Sequence, residues 1–326
     1  MKIGKLSPEE LQSLILDRLP RQAANVVSGP AIGLDCASIR FGDGQVVLSC
    51  DPITGATTDI GRLAVHIACN DIAACGIRPS ILMMVIIAPP DCTANDIRIV
   101  ADQASIAAAQ LNVSIVGGHT EISDAVNRFI ITTTALGFTY GAGMIQANGG
   151  KPGDCLLMTK TAGLEGTAVF AADHGKQLLQ VLSKEDLEQA AAMISSISVV
   201  EEGACGGDFN VHAMHDATEG GILGACWELA KASGLGCIIE KDDIPVDPLT
   251  ARICSALGID PLRLTSSGSL IMATDNPEPL IAELTARSIR CTRIGCLTEA
   301  CGRLLEENGR QTELMPPGPD ELYKIH

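Results

Sequence analysis

Between Gln45 and Gly137 the chain alternates short β-type apolar runs with longer stretches of helical periodicity. QVVLSC (45–50), ILMMVIIA (81–88), VSIVGG (113–118) and RFIITTTALG (128–137) predict strands, and 59–76 and 93–112 predict helices. This alternation belongs to an α/β or α+β domain. A turn-rich passage, 139–154, carries six of its residues as Gly or Pro and separates a second half. The boundary is expected within 149–153, giving domains 1–150 and 151–326. The second half predicts strands at 155–160, 210–216, 236–240 and 269–274. Its expected helices are 165–174, 184–204, 218–234 and 248–258, before a closing helix and further strands. At the N-terminus an amphipathic helix is expected, with Ser7 as cap, Pro8 at the first position and Glu10 closing a capping box.

Within 59–76, Ile60, Leu63, Ala64, Ile67, Ala68, Ile72 and Cys75 fall on one stripe, and Asp71 sits at its centre. An unpaired ion there is costly to bury, and the helix C-terminus nearby disfavours negative charge. Either buried hydrogen bonds or a cation must satisfy it. Three further acids, Asp35, Asp51 and Asp216, stand at the edges of apolar or Gly-rich runs. Singly each reads as a turn former or cap. Together they match the oxygen-rich donor set that magnesium shares with phosphates and water. Glycine pairs at Gly117–Gly118 and Gly220–Gly221 read either as tight turns or as places where backbone approaches phosphate. His66 is expected on the polar flank of the same helix and Lys160 at the surface, while His212 and His215 fall on opposite faces of a strand, a poor start for a shared metal.

The 326 residues suffice for two cores, and the longest apolar run is about eight residues, far below a bilayer span. Thirteen cysteines, odd in number and never spaced C-x-x-C, read as buried reduced thiols and point to the cytoplasm; Cys291, Cys296 and Cys301 are expected to pack. The N-terminus has no secretory pattern. A net charge of −16 opposes nucleic-acid binding, but not a nucleotide that arrives with its own magnesium. No P-loop and no dinucleotide fingerprint occur, so a nucleotide site here requires a less common fold.

GLDCASI, DPITGATTDIGRLAVHIACNDIAACGIRP, VGGHTE and HDATEGGILGACWELAKASG occur in that order. Together they resemble the aminoimidazole ribonucleotide (AIR) synthetase superfamily, which includes PurM, thiamine-monophosphate kinase, selenophosphate synthetase and the hydrogenase maturation factor HypE. The HypE-like, AIR synthase-related branch is the nearest match. The resemblance implies a two-domain α/β (α+β) PurM-like fold, with the N-terminal domain pairing across a homodimer into a β-barrel. It also implies ATP in a cleft at the domain junction, held through Mg2+ on aspartates. Asp35, Asp51, Asp71 and Asp216 match the family's acids residue by residue and are the expected metal ligands. Asp71, His119 and Asp216 are the expected catalytic residues. Asp35, Asn70, Gly117, Gly118, Thr120, Thr218, Gly220 and Gly221 are expected to hold the nucleotide.

Leu34 and His119 depart from the family pattern, each standing where many members carry an acid; Glu121 is a candidate replacement, and His119 an acid–base residue. The HypE reaction uses a C-terminal cysteine as carrier, whereas here Cys301 is followed by 25 residues, so that reaction is not expected on this chain's own tail. The expected function is ATP-dependent phosphoryl transfer to an amide, carbonyl or phosphate oxygen of a small or protein-borne acceptor. The alternative is a non-catalytic nucleotide-binding assembly or regulatory protein of the same fold.

Overall fold

The computed structural model describes residue 6 and residues 8–20, 22–54, 58–140, 143–209 and 211–325. The expected cap Ser7 lies outside the described residues. Strands β1 (Val26–Ser28), β2 (Ala37–Phe41), β3 (Gly44–Ile53), β4 (Pro79–Ala88), β5 (Ser114–Ile122) and β6 (Ile130–Tyr140) form the first sheet, ordered β1-β2-β3-β6-β4-β5. Among the described strands of this sheet, only β4 and β5 pair in parallel. Helices α1 (Pro8–Leu14), α2 (Ile60–Ala74) and α3 (Ala94–Leu111) belong to this half. The N-terminus of α3 is fixed by a capping box in which Thr93 and Asp96 exchange backbone and side-chain bonds.

The second half holds helices α4 (Leu164–Asp173), α5 (Gly175–Leu178), α6 (Lys184–Ala192), α7 (Val200–Asp208), α8 (Gly221–Ala232), α9 (Pro248–Leu257) and α10 (Pro277–Ala286). Its strands are β7 (Cys155–Thr159), β8 (Ala213–Asp216), β9 (Gly236–Glu240), β10 (Leu270–Thr274), β11 (Cys291–Thr298), β12 (Arg303–Glu307) and β13 (Arg310–Glu313). They form a seven-stranded sheet ordered β13-β12-β9-β11-β7-β10-β8. The result is the expected mixed α/β, two-sheet architecture. One apolar core runs through both halves, joining Val47, Ile72, Leu82 and Ile131 to Leu157, Val200, Met214 and Met272.

That continuity corrects the reading of α2 as a helix with one apolar stripe. Every residue from Ile60 to Ala74 except Arg62 is buried, because β3 and β6 cover one side and α3, α7 and β8 cover the others. His66 is accordingly buried, not on a polar flank. Contact with α7 is close enough to require glycine: a Cβ on Gly203 would lie 2.0 Å from the Ala73 carbonyl oxygen. The single helix expected over 184–204 is two helices. Between them Ser195 Oγ donates to the Ala192 carbonyl, and Asn70 of α2 holds the backbone of Ile197 and Val199. These bonds replace the helical ladder at a serine-rich stretch. Lys160 is not a surface lysine: its Nζ meets Glu202 at 2.5 Å and donates to the Ser198 and Gly268 carbonyls. All thirteen cysteines are unpaired by disulfide; Cys69, Cys75, Cys226 and Cys237 are buried as expected, whereas Cys301 is exposed and does not pack.

Candidate active site

Strand alternation turns Val47, Ser49 and Asp51 of β3 toward α2, with Cys50 on the opposite, exposed face. Asp71, one turn from the end of α2, meets them there. Ser49 Oγ donates to Asp71 Oδ2, and also lies 3.3 Å from Asp51 Oδ2. Burial, a hydrogen bond with Asp51, and the charges of Asp51, Asp216 and Asp35 hold the Asp71 carboxyl well above the usual carboxylate range. A cation at this point would offset the cost of the Asp71 charge.

Asp216 reaches the same place from the end of β8, and Asp35 from the loop before β2. Both line a cleft of about 310 Å³ with Asp51 and Asp71. The structure thus brings all four sequence-predicted acids together, from both halves of the chain. Leu34 lines the cleft beside Asp35. His215 is buried next to them: Asp35 Oδ2 lies 2.8 Å from its Nδ1, and Glu228 Oε2 lies 3.1 Å from its Nε2. Burial opposes a charge on this imidazole, but the facing Asp35 and Glu228 outweigh it and raise its pKa well above the ordinary histidine value.

A second set of acids lines the other part of the cleft. Glu165 on α4 accepts a hydrogen bond from Thr265 Oγ1 at 2.9 Å, and Tyr323 donates to Glu219 at 3.0 Å. Asp320 accepts from the backbone N–H groups of Gly220, Thr265 and Leu322, at 2.8, 3.2 and 2.8 Å. Burial pushes Asp320 up to about 6 against these three donors, and burial likewise raises Glu165 despite its bonds to Ser267 and Thr265. Among the described lining residues, seven are carboxylic acids and none is Lys or Arg. Such a wall fits hard divalent cations, which prefer oxygen ligands and offset the mutual repulsion.

The remaining predicted residues are placed as follows. Thr218 lines the cleft. Gly220 and Gly221 form the turn into α8, both at positive φ (86° and 62°), and a Cβ on Gly221 would lie 2.5 Å from the Leu262 carbonyl oxygen. The Gly220 N–H is taken by Asp320. Asn70 uses both ends of its amide on the Ile197 carbonyl and the Val199 N–H, at 2.7 and 2.9 Å, and so anchors α2 to the second half. Gly117, Gly118, His119 and Thr120 lie on β5, every residue of which is exposed, and are not among the residues lining this cleft. His119 pairs with Glu121 at 3.1 Å.

Sequence reasoning did not find Glu165, Asp320 or Tyr323. Asp320 and Tyr323 reach the cleft from the C-terminal segment, about 100 residues beyond the Gly220–Gly221 turn, and neither lies at the edge of an apolar run. His215 was visible beside Asp216, but its partners Asp35 and Glu228 were not.

Two family models match the chain: AIR synthase related protein, N-terminal domain, over residues 33–139, and AIR synthase related protein, C-terminal domain, over 151–304. A putative hydrogenase expression/formation protein of Methanocaldococcus jannaschii is 29% identical over 310 residues, covering 94% of this chain and 89% of its own length. Carbamoyl dehydratase HypE of Cupriavidus necator is 27% identical over 247 residues, covering 74% and 68%. A crystal structure of hydrogenase maturation protein HypE in complex with ATP superposes with a TM-score of 0.67 at 21% identity, over 98% of this chain and 97% of that one.

Proposed function

The chain belongs to the AIR synthase related family, and from that premise we propose that it is an ATP- and magnesium-dependent enzyme that phosphorylates an amide or carbonyl oxygen of its acceptor, as a HypE-like dehydratase does. The observation that carries this reading is the convergence of Asp35, Asp51, Asp71 and Asp216 in one cleft with no cationic side chain on its described wall. The relative from Cupriavidus necator is a carbamoyl dehydratase, and a HypE structure of the same fold binds ATP. Domains 1–150 and 151–326 would each contribute one side of the site.

In this reading the four aspartates would hold magnesium, which would supply positive charge against the phosphate oxygens. The work of the protein is otherwise positional. Thr218 contributes a hydroxyl at the start of the α8 turn. Asn70 fixes the angle at which α2 delivers Asp71. Glu165 and Asp320, held above the ordinary carboxylate range, accept the protons that a primary amide must lose when its phosphorylated oxygen departs and a nitrile forms. The acceptor is a small molecule or is carried on a partner protein.

We also read β5 as the homodimer seam. It is an edge strand of the first sheet, and Ile115 and Val116 on it and Met83 and Val85 on neighbouring β4 expose apolar surface. Gly117, Gly118, His119 and Thr120 would then lie at the interface. No helix among the described residues is long and apolar enough to cross a membrane.

Calorimetric titration with ATP, with and without Mg2+, tests the central claim. Magnesium-dependent binding that Asp71→Asn abolishes while the circular dichroism spectrum is unchanged is the expected result. Equal affinity of wild type and variant at fixed Mg2+ removes Asp71 from the metal site, and ATP binding without turnover of any carbamoyl or amide acceptor favours the non-catalytic alternative.

A further inference from the structure

The ligand atoms of Asp35, His215 and Asp216 all lie within 4.8 Å of one another. His215 and Asp216 are buried, and three elements deliver the set: the loop before β2, the end of β8, and α8 behind them through Glu228. Glu228 Oε2, 3.1 Å from Nε2, accepts the N–H on that side of the imidazole. This fixes Nδ1 toward Asp35 Oδ2 at 2.8 Å and Asp216 Oδ1 at 3.9 Å. Without a cation a proton on Nδ1 offsets the two carboxylates, and a divalent ion that displaces it would find Nδ1, Asp35 and Asp216 as ligands. A carboxylate that orients a ring nitrogen so that the other nitrogen points into a cluster of acids is the arrangement of metal-ligating histidines.

We propose that Asp35, His215 and Asp216 form a nitrogen-bearing metal subsite of the cleft that prefers a first-row transition ion, Co2+ above all and Mn2+ less strongly, to Mg2+. Magnesium favours an all-oxygen shell and keeps its waters, whereas imidazole shifts preference toward first-row transition ions. The inference deepens the reading of the cleft as a divalent-cation site and rests on it. Asp51 and Asp71, lacking a nitrogen neighbour, remain the oxygen-only side suited to a nucleotide-bound magnesium. The cleft would then hold two chemically distinct cation positions.

The test uses the full chain, stripped of metal and without nucleotide, loaded with Mn2+ and examined by electron spin-echo modulation for 14N coupling from a coordinated imidazole. Wild type is expected to give that coupling and His215→Gln to lose it. In competition titrations Glu228→Ala should lower Co2+ affinity about tenfold or more, the scale on which partners of ligating residues act, with Mg2+ affinity changed much less. Glu228 is partly exposed, so this variant is expected to fold even where His215→Gln does not. Bound Mn2+ with no nitrogen coupling overturns the subsite, as does a coupling that survives His215→Gln or an equal loss of Co2+ and Mg2+ affinity in Glu228→Ala. A parallel titration with Mg2+ and ATP separates the two claims. Nitrogen-coupled Mn2+ without nucleotide binding sinks the nucleotide reading alone, and nucleotide binding with an all-oxygen Mn2+ shell sinks the subsite alone.

Discussion

His66 provides a test of the packing around α2 that is independent of any ligand. It is 4% exposed, and its Nδ1 has no hydrogen-bond partner among the described residues. Burial, with smaller contributions from Arg62 and Lys160, pushes the imidazole down from its ordinary 6.5 to about 4. The folded state therefore takes up the proton less readily than the unfolded one. Stability from this group is complete above about pH 6.5 and is lost as the pH falls toward 4. At 1.36 kcal/mol per pH unit, the separation of about 2.5 units corresponds to about 3 kcal/mol. The assay is urea unfolding of wild type and His66→Gln at intervals from pH 7.5 to 4. The variant carries a fixed cost for its amide, but wild type should lose about 3 kcal/mol relative to it across the window, because every other titrating group is common to both. A 1H NMR titration of the His66 ring should give a midpoint near 4. A midpoint between 6 and 7, or two stability curves that stay parallel, would refute the claim that α2 is enclosed on all sides.

Two other substitutions probe the joint between the halves. Gly203→Ala places a Cβ 2.0 Å from the Ala73 carbonyl oxygen, so α7 must back away from α2; an overpacking cost of about 1–3 kcal/mol in chemical denaturation is expected. Lys160→Met leaves Glu202, 3% exposed, without its cation. That should cost about 3–5 kcal/mol, and Lys160→Met combined with Glu202→Leu should recover most of it, since the penalty lies in the stranded charge. Unfolding midpoints of the single and double variants decide both.

The four aspartates were legible because each breaks an apolar or Gly-rich pattern, and buried charge in such a place requires a chemical reason. The strand–helix alternation was legible for the same reason that it folds: period 2 and period 3.6 leave different stripes. What was hidden depended on contacts between distant segments. The sequence around His66 fits a helix with a polar flank, and only the arrival of α7 and β8 removes that flank from water. The 184–204 helix has helical periodicity throughout, but Asn70, more than 120 residues earlier, competes successfully for the Ile197 carbonyl and the Val199 N–H. Asp320 has no local signal at all, because its three backbone donors come from the turn before α8, the 265 region and its own segment.

The way in which the acids are assembled leads to a last prediction. Asp51 and Asp71 come from the first half and Asp216 from the second, while Asp35 bonds across to His215. Without a cation these groups repel one another and are held together by the rest of the fold, which is why Asp71 is pushed above its ordinary range. A folded-state carboxyl raised in this way subtracts stability as the pH rises past its unfolded value near 4, so Asp71→Asn should raise the cation-free unfolding midpoint at pH 7. The same substitution should abolish stabilisation by added Mg2+. For wild type that stabilisation is about 2.7 kcal/mol at a cation concentration one hundred times Kd. Calorimetric midpoints of both proteins with and without Mg2+ test this crossing of effects. An Asp71→Asn variant that is less stable without cation, or that gains as much from cation as wild type, would mean that Asp71 is a hydrogen-bonded structural acid and not part of a cation site.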